Sequence, residues 1–242
     1  MKIKELSIIF PIYNEEARLK ENLFNIIKMF KFFKSINIEV ILVNDGSTDN
    51  SHIIIQNFIK LTKKSDSKKI SYIYYKNNRG KGFALKKAII ATKKKWILTC
   101  DIDFSTNPLE VIKWDKLNYI SSEKFCYFGS RKLKKSVIKY KFYRKFLGYI
   151  FNFIVHIMFD LRIEDTQCGF KLYNRIYSKK IFNKLYEYGY AHDVEIAVLL
   201  KKKSVKIKEL PIKWIHKNKS KVNILYDGLN MLIKLLFIKL RH

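Results

Sequence analysis

Short apolar runs alternate with helix-patterned segments from residue 6 to residue 101, and this alternation limits the possible folds more than any other feature. The strand-length runs are residues 6–14, 39–45, 70–76 and 96–101, and the helix-patterned segments are 15–33, 50–61 and 81–92. Short apolar strands that alternate with helices are typical of a parallel sheet covered on both faces. We therefore predict an α/β protein with a mostly parallel sheet and helices on both faces.

Polar residues follow four of the predicted strands at the point where each strand ends. These clusters are residues 13–15, 44–46, 78–82 and 101–103. Ligands of open α/β sheets bind beyond the carboxyl ends of the strands. The coincidence predicts a ligand site at this edge of the sheet.

Asp101 and Asp103 follow the apolar run WILTC with one isoleucine between them. Because side chains alternate along a strand, we expect both carboxylates on the same side. Two such carboxylates repel each other unless a cation lies between them, and Mg²⁺ or Mn²⁺ is held by few carboxylates together with substrate phosphates. The spacing predicts a metal that bridges a diphosphate, or else a cap for a helix that begins near Pro108.

Other polar motifs have two interpretations each. Asp45 can bind a base or a ribose, or form an ordinary turn. The turn NNRGKGFA, with Lys81, suits a phosphate at a helix N-terminus but lacks the spacing of a Walker A loop. Asp165 can be a base or a cap, and Asp193 opens a helix where acidic residues are favoured in any case.

Two long segments combine a broad apolar face with lysines: residues 137–161 and the C-terminal segment 216–242. Each predicts a helix that is buried in the core or lies in a membrane interface. The net charge of +28 favours anionic partners, although only seven of the 49 basic residues are arginine, so compositional bias explains it equally well. No stretch has 18 uninterrupted apolar residues, and we expect no transmembrane helix.

Seven segments together resemble inverting nucleotide-sugar glycosyltransferases of the GT-A fold. They are FPIYNE, VNDGSTDNS, NNRGKGFA, DIDFST, GSR, DTQCGFKLYNR and HDVEIAVLL, and they lie between residue 7 and about residue 200. The strongest resemblance is to the polyprenyl-phosphate sugar synthases, the family of the dolichyl-phosphate β-glucosyltransferases and dolichol-phosphate mannose synthases. DTQCGFK is most like the glucosyltransferase branch.

The resemblance implies a role for each matching residue. The catalytic residues implied are Asp165, beside the acceptor, and Asp193. The metal ligands implied, for Mg²⁺ or Mn²⁺, are Asp101 and Asp103. The substrate-binding residues implied are Pro11, Tyr13, Glu15 and Asp45 for base and ribose, Lys81, Asp101, Ile102, Asp103 and Gln167, and Arg131 and Lys221 for phosphates.

The resemblance also implies an activity: transfer of a hexose from a nucleotide sugar to a polyprenyl or dolichyl phosphate, with inversion. UDP-glucose is the favoured donor and GDP-mannose the second. We expect a GT-A domain over residues 1–215, a C-terminal amphipathic helix over 216–242, and peripheral attachment to the cytoplasmic side of a membrane. Two alternatives stay open: an inverting enzyme with a saccharide acceptor, and a basic nucleic-acid-binding protein. The sequence has no nucleic-acid recognition motif, which argues against the second alternative.

Overall fold

A computed structural model describes residues 2–62, 69–139, 142–217 and 224–242. The strands are β1 (Glu5–Ile12), β2 (Asn37–Asp45), β3 (Lys69–Tyr75), β4 (Trp96–Thr99), β5 (Phe125–Ser130), β6 (Val137–Lys139), β7 (Lys171–Asn174), β8 (Lys206–Pro211) and β9 (Lys213–Ile215). The helices are α1 (Glu16–Phe30), α2 (Ser51–Thr62), α3 (Lys81–Ala91), α4 (Glu110–Lys116), α5 (Phe142–Phe159), α6 (Arg175–Asn183), α7 (His192–Lys202) and α8 (Ile224–Arg241).

Within these ranges one sheet has seven strands in the order β3-β2-β1-β4-β7-β5-β8, and β6 pairs with β9 separately. Strand β7 is antiparallel to both β4 and β5, whereas β1, β2, β3 and β4 pair in parallel, as do β5 and β8. The predicted mostly parallel sheet is therefore confirmed.

The sheet is covered on both faces, and the alternation of side chains along each strand shows why the strands are almost wholly apolar. In β2, Val40 and Leu42 join one buried cluster, which includes side chains of α1, α2 and α4. Ile41 and Val43 point the other way into a second cluster, with side chains of α3, α5, α6, α7 and α8. Both faces bury apolar surface, as expected for a sheet of this kind.

The antiparallel strand β7 adds residues to the ligand edge, the edge of the sheet where the sequence predicts a ligand site. All other strands of the main sheet run in one direction, so their carboxyl ends lie at one edge. Because β7 runs the opposite way, its amino end lies at that same edge, and it brings residues 165–170 there. The chain pattern gave no sign of this strand, which is only four residues long.

The prediction of one helix over residues 137–161 was wrong at its start. Val137 to Lys139 form strand β6, which pairs in parallel with β9, and the Val137 N–H donates to the carbonyl of Ile212 at 3.0 Å. The helix α5 follows at residue 142 and ends at Phe159. Pairing with β9, a distant segment, outweighs the local helical pattern.

Helix α8 packs beside α5. Val155 and Phe159 of α5 and Leu235 and Ile238 of α8 are all buried in the second cluster, and the Lys239 ammonium donates to the carbonyl of Met158 at 2.6 Å. The division into 1–215 and 216–242 stays a prediction. No helix in the described ranges is long and apolar enough to cross a membrane.

Candidate active site

The end of β1 places the residues predicted to hold base and ribose at the ligand edge. Pro11 lies in β1, Tyr13 is 39% exposed, and Asn14 has a left-handed backbone with φ of 51°. The Glu15 carboxylate forms an ion pair with Arg18, whose Nη2 lies 3.2 Å from Oε1. Tyr13 therefore presents a ring to solvent, whereas Glu15 holds an arginine.

Asp45 ends β2 and is almost fully buried. Its carboxylate accepts the Arg79 N–H and the Asn78 side-chain amide, each at 2.9 Å. Burial raises the pKa of Asp45 above its usual value, although the hydrogen bond from the Arg79 N–H acts against the rise. The carboxylate thus fixes the loop between β3 and α3, in addition to any contact with a ribose.

Lys81 is the first residue of α3, after Gly80, whose φ of 94° an L-residue rarely adopts. Its ammonium lies 2.5 Å from Oδ1 of Asp101. Burial lowers the pKa of Lys81, but the carboxylates of Asp101 and Asp193 outweigh burial and leave the pKa raised. Lys81 is therefore charged at neutral pH and lies beside the predicted metal ligand.

Asp101 and Asp103 lie in a turn beyond β4, which ends at Thr99. Strand alternation does not reach them, because β4 ends before Asp101 and residues 102 and 103 lie in a turn. Asp103 Oδ1 accepts the N–H and hydroxyl of Ser105 at 2.8 and 2.5 Å, and Asp103 does not cap α4, which begins at Glu110.

The charges around the two aspartates show how they share one neighbourhood. The Nη1 of Arg18 lies 3.9 Å from Oδ2 of Asp103. The charge of Asp101 also acts to raise the pKa of Arg18. The two carboxyl side chains are 43% and 22% exposed, respectively. Ile102 between them is buried in the first cluster, so its side chain packs in the core and does not face a substrate.

Arg131 and Asp165 form a second group of charged residues at the same edge of the sheet. Arg131 follows β5, and its Nε, Nη2 and backbone N–H donate to the Asp165 carboxylate at 2.7, 2.8 and 2.9 Å. Burial raises the pKa of Asp165, but Arg131 outweighs burial, and the net effect is a lowered pKa. Asp165 is ionised at neutral pH and orients the guanidinium.

The remaining predicted residues differ in position. Gln167 is partly buried, and among the described residues its amide nitrogen has no hydrogen-bond partner. Asp193 is buried and forms an ion pair with Lys171. Lys221 lies outside the described residues.

The structure adds three residues that the sequence did not predict: Arg18, Gly169 and Lys171. A Cβ on Gly169 would lie 2.7 Å from Oδ2 of Asp101 and 3.0 Å from Lys81 Nζ. The glycine and the lysine are visible in the sequence within DTQCGFK, but this pattern does not predict which residues they contact.

Oxygen ligands for a divalent cation are present at Asp101 and Asp103, and both side chains are accessible. Among the described residues, no group of three or more histidine, cysteine, aspartate or glutamate side chains is placed to hold a metal by itself. A pair of carboxylates fits a cation that takes its other ligands from substrate phosphates and water. The site residues thus fit a metal that arrives together with a diphosphate.

The glycosyl transferase family 2 model matches residues 7–182. This chain belongs to glycosyl transferase family 2. It is 32% identical to the dolichyl-phosphate β-glucosyltransferase of Saccharomyces cerevisiae over 98% of this chain and 75% of that protein. It is 34% identical to the human protein of the same name over 99% of this chain and 76% of that protein.

Solved structures support the fold. Glucosyl-3-phosphoglycerate synthase from Mycobacterium tuberculosis, in complex with UDP, superposes with a TM-score of 0.65 at 14% identity. The alignment covers 98% of this chain and 80% of that one. The same enzyme in complex with Mn²⁺, UDP and glucosyl-3-phosphoglycerate gives a TM-score of 0.65 at 15% identity, over 98% and 79% of the two chains. The predicted GT-A fold and the hexosyltransferase class are confirmed.

Proposed function

We propose that this protein transfers glucose from UDP-glucose to a polyprenyl phosphate, with inversion at the anomeric carbon. The observation that carries the proposal is the meeting of two charge types at one sheet edge: the accessible carboxylates of Asp101 and Asp103, and the oriented guanidinium of Arg131. The relatives named dolichyl-phosphate β-glucosyltransferase support glucose as the sugar and a lipid phosphate as the acceptor.

The acceptor needs no strong base. A phosphate monoester has a second pKa of about 6, so it is largely a dianion at neutral pH. Its oxygen attacks the anomeric carbon from the face opposite the leaving group, the bond to the diphosphate breaks, and UDP leaves. Arg131 binds and orients the acceptor phosphate through the side of its guanidinium that faces away from Asp165, and Asp165 holds the other side in place.

The donor diphosphate lies near Asp101 and Asp103 in this proposal. A bound Mg²⁺ or Mn²⁺ held by these two carboxylates would neutralise charge on the leaving diphosphate. Lys81 and Arg18, which lie against the same carboxylates, add positive charge at that position. The amide nitrogen of Gln167 is buried and has no hydrogen-bond partner among the described residues, and a bound substrate would give it one.

The protein reaches its lipid acceptor, we propose, by lying on the cytoplasmic surface of a membrane. On α5, exposed apolar side chains recur along one face, at Tyr149, Ile150, Phe153 and Ile157. On α8, which packs beside α5, the exposed apolar side chains are Leu229, Ile233, Leu236, Phe237 and Leu240. Exposed lysines 134 and 135 follow Arg131, and the net charge of +28 complements anionic headgroups.

One assay tests the activity. The protein is incubated with Mg²⁺ or Mn²⁺, a polyprenyl phosphate and either labelled UDP-glucose or labelled GDP-mannose, and the lipid is extracted into organic solvent. We expect label in the organic phase from UDP-glucose. Label that enters only water-soluble saccharide products would contradict the lipid acceptor, and transfer from GDP-mannose alone would contradict the donor.

The same assay tests the metal. We expect Asp101→Asn and Asp103→Asn to abolish transfer while the melting temperature stays near that of the wild type, because both side chains are partly exposed. EDTA should stop the wild type reversibly. Glu123→Gln is the matched control, since Glu123 is an exposed acid paired with Lys95 away from the site. Full activity in EDTA would exclude the metal role.

A further inference from the structure

Lys171 is a lysine buried within the sheet. It is the first residue of β7, where it pairs with Thr99 of β4 and Phe128 of β5, and only 1% of its side chain is exposed. Its ammonium lies 4.8 Å from the centroid of the Phe128 ring. Lysine is almost never fully buried unless it is paired, because an ammonium loses much hydration energy there. Its partners therefore indicate its role.

Two partners hold the ammonium of Lys171. One is the carboxylate of Asp193, on α7, and the other is the carbonyl of Thr166, at 2.9 Å. The side chain of Lys171 thus ties the loop of residues 165–170 to its own strand and to a helix on the second face of the sheet.

That loop contacts both halves of the site. Asp165, next to Thr166, orients Arg131. Gly169, two residues before Lys171, packs against Asp101 and Lys81 so closely that a Cβ would meet both. Its carbonyl accepts the hydroxyl of Thr99 at 2.9 Å. A shift of the loop would therefore move groups at the acceptor end and at the donor end together.

The charge of Asp193 acts both on Lys171, which holds the loop, and on Lys81, which lies beside Asp101. Burial raises the pKa of Asp193, but His192, Lys171 and Lys81 outweigh burial and lower it. Asp193 in turn helps to raise the pKa of Lys81. Without the charge of Lys171, the negative charge of Asp193 would act on Lys81 without that compensation, and Lys81 is the partner of Asp101.

We propose that Lys171 is a positioning residue that couples the two substrate sites. This inference rests on the proposed function. By tying residues 165–170 together as one unit, Lys171 makes binding of an acceptor phosphate near Arg131 strengthen binding of the nucleotide near Asp101, and the reverse. Each ligand contacts one end of the same tied loop, so the ligand that binds first sets the loop position that the second ligand requires.

Calorimetry of UDP binding in the presence of Mn²⁺ tests the coupling, with and without saturating citronellyl phosphate, a short isoprenoid phosphate. We expect citronellyl phosphate to tighten UDP binding to the wild type about fivefold or more, and to change binding to Lys171→Met by less than about twofold. Lys208→Met is the matched control. Lys208 also donates from a strand to a backbone carbonyl, that of Tyr119 at 3.1 Å, and should keep wild-type coupling.

Lys171→Met leaves Asp193 buried without its main cation, which can unfold the protein. The double variant Lys171→Met with Asp193→Asn removes both charges together, and its thermal unfolding shows whether the fold is kept. We expect a folded double variant that binds UDP without coupling. A merely structural role would lower the melting temperature and leave the coupling unchanged.

The outcomes separate this inference from the proposed function. Wild-type protein that binds both ligands without coupling, or a double variant that retains the coupling, overturns the role of Lys171 alone. Failure of the wild type to bind citronellyl phosphate overturns the lipid-phosphate acceptor, and this inference with it.

Discussion

Asp165 shows how a single contact decides the role of a carboxylate. Both of its oxygens accept N–H groups of Arg131, and one of them also accepts the Arg131 backbone N–H. A carboxylate held in this way has a lowered pKa and is a poor proton acceptor at neutral pH. Its contribution to stability is present above its ordinary pKa and is lost only as the pH falls through the lowered value.

Asp165→Asn should therefore reduce turnover by misplacing Arg131, without creating a steep pH dependence between about pH 6.5 and 8, where the native carboxylate is already ionised. The measurement is kcat/KM for transfer as a function of pH. Asp160→Asn is the control, because Asp160 is an exposed acid paired with Lys201 at 2.8 Å. Activity of the Asp165 variant that returns only at raised pH would show that Asp165 acts as a general base.

Motifs in the sequence predicted which residues meet at this edge of the sheet, but not how they pair with one another. Asp101, Asp103, Arg131 and Asp165 were predicted, and the structure places all four at one edge of the sheet. That Arg131 belongs to Asp165 could not be predicted, because the two residues lie 34 positions apart and meet only through strands β5 and β7. The position of Lys221 stays a prediction.

At the scale of the elements, two glycines in different surroundings give opposite expectations. Gly169 lies against the far end of the Asp101 side chain, whereas a Cβ on Gly148, in helix α5, would meet nothing within 4 Å. Alanine at position 169 would displace the carboxylate of Asp101 rather than the backbone. Alanine at position 148 would fill open space and favour the helix.

Gly169→Ala should abolish transfer and weaken binding of UDP with Mn²⁺, with little loss of melting temperature. Gly148→Ala should raise the free energy of unfolding by about 0.5–1 kcal/mol, because alanine is the better helix former, and should keep full nucleotide binding. Calorimetry and thermal unfolding of both variants measure this. Wild-type UDP affinity in the Gly169 variant would contradict the close packing against Asp101.

Elements within a clear apolar run or a helical pattern were predictable, whereas β6 and β7 were not. Strands β1, β2 and β3 and helices α1, α2 and α3 lie where their apolar spacing predicted them. Strands β6 and β7 have three and four residues, too few for any periodicity, and their pairing depends on distant partners. The antiparallel strand β7, which brings residues 165–170 to the edge of the sheet, therefore could not be predicted from local pattern.

At the scale of the whole molecule, the protein has both a large net charge and exposed apolar surface. The two act on a membrane over different distances and differ in their response to salt. The net charge of +28 acts at a distance, and salt screens it. The apolar faces of α5 and α8 act only on contact, and salt leaves that contact intact. A peripheral attachment that uses both therefore weakens in salt without being abolished.

Leu236→Glu together with Leu240→Glu should release the protein from vesicles of phosphatidylcholine and phosphatidylserine even at low salt. These side chains are 58% and 84% exposed, so the change spares the core. Raised salt should release only part of the wild type. Co-sedimentation measures both effects.

Ile53→Glu with Leu61→Glu is the matched control for that release. These residues are 55% and 71% exposed on α2, which packs on the opposite face of the sheet from α8. The control adds the same negative charge to an apolar helix surface, so electrostatic repulsion alone would release it equally. If only the α8 variant leaves the vesicles, contact at α8 is what holds the protein there. If the α8 variant stays bound, or the wild type never co-sediments, attachment through this face is wrong.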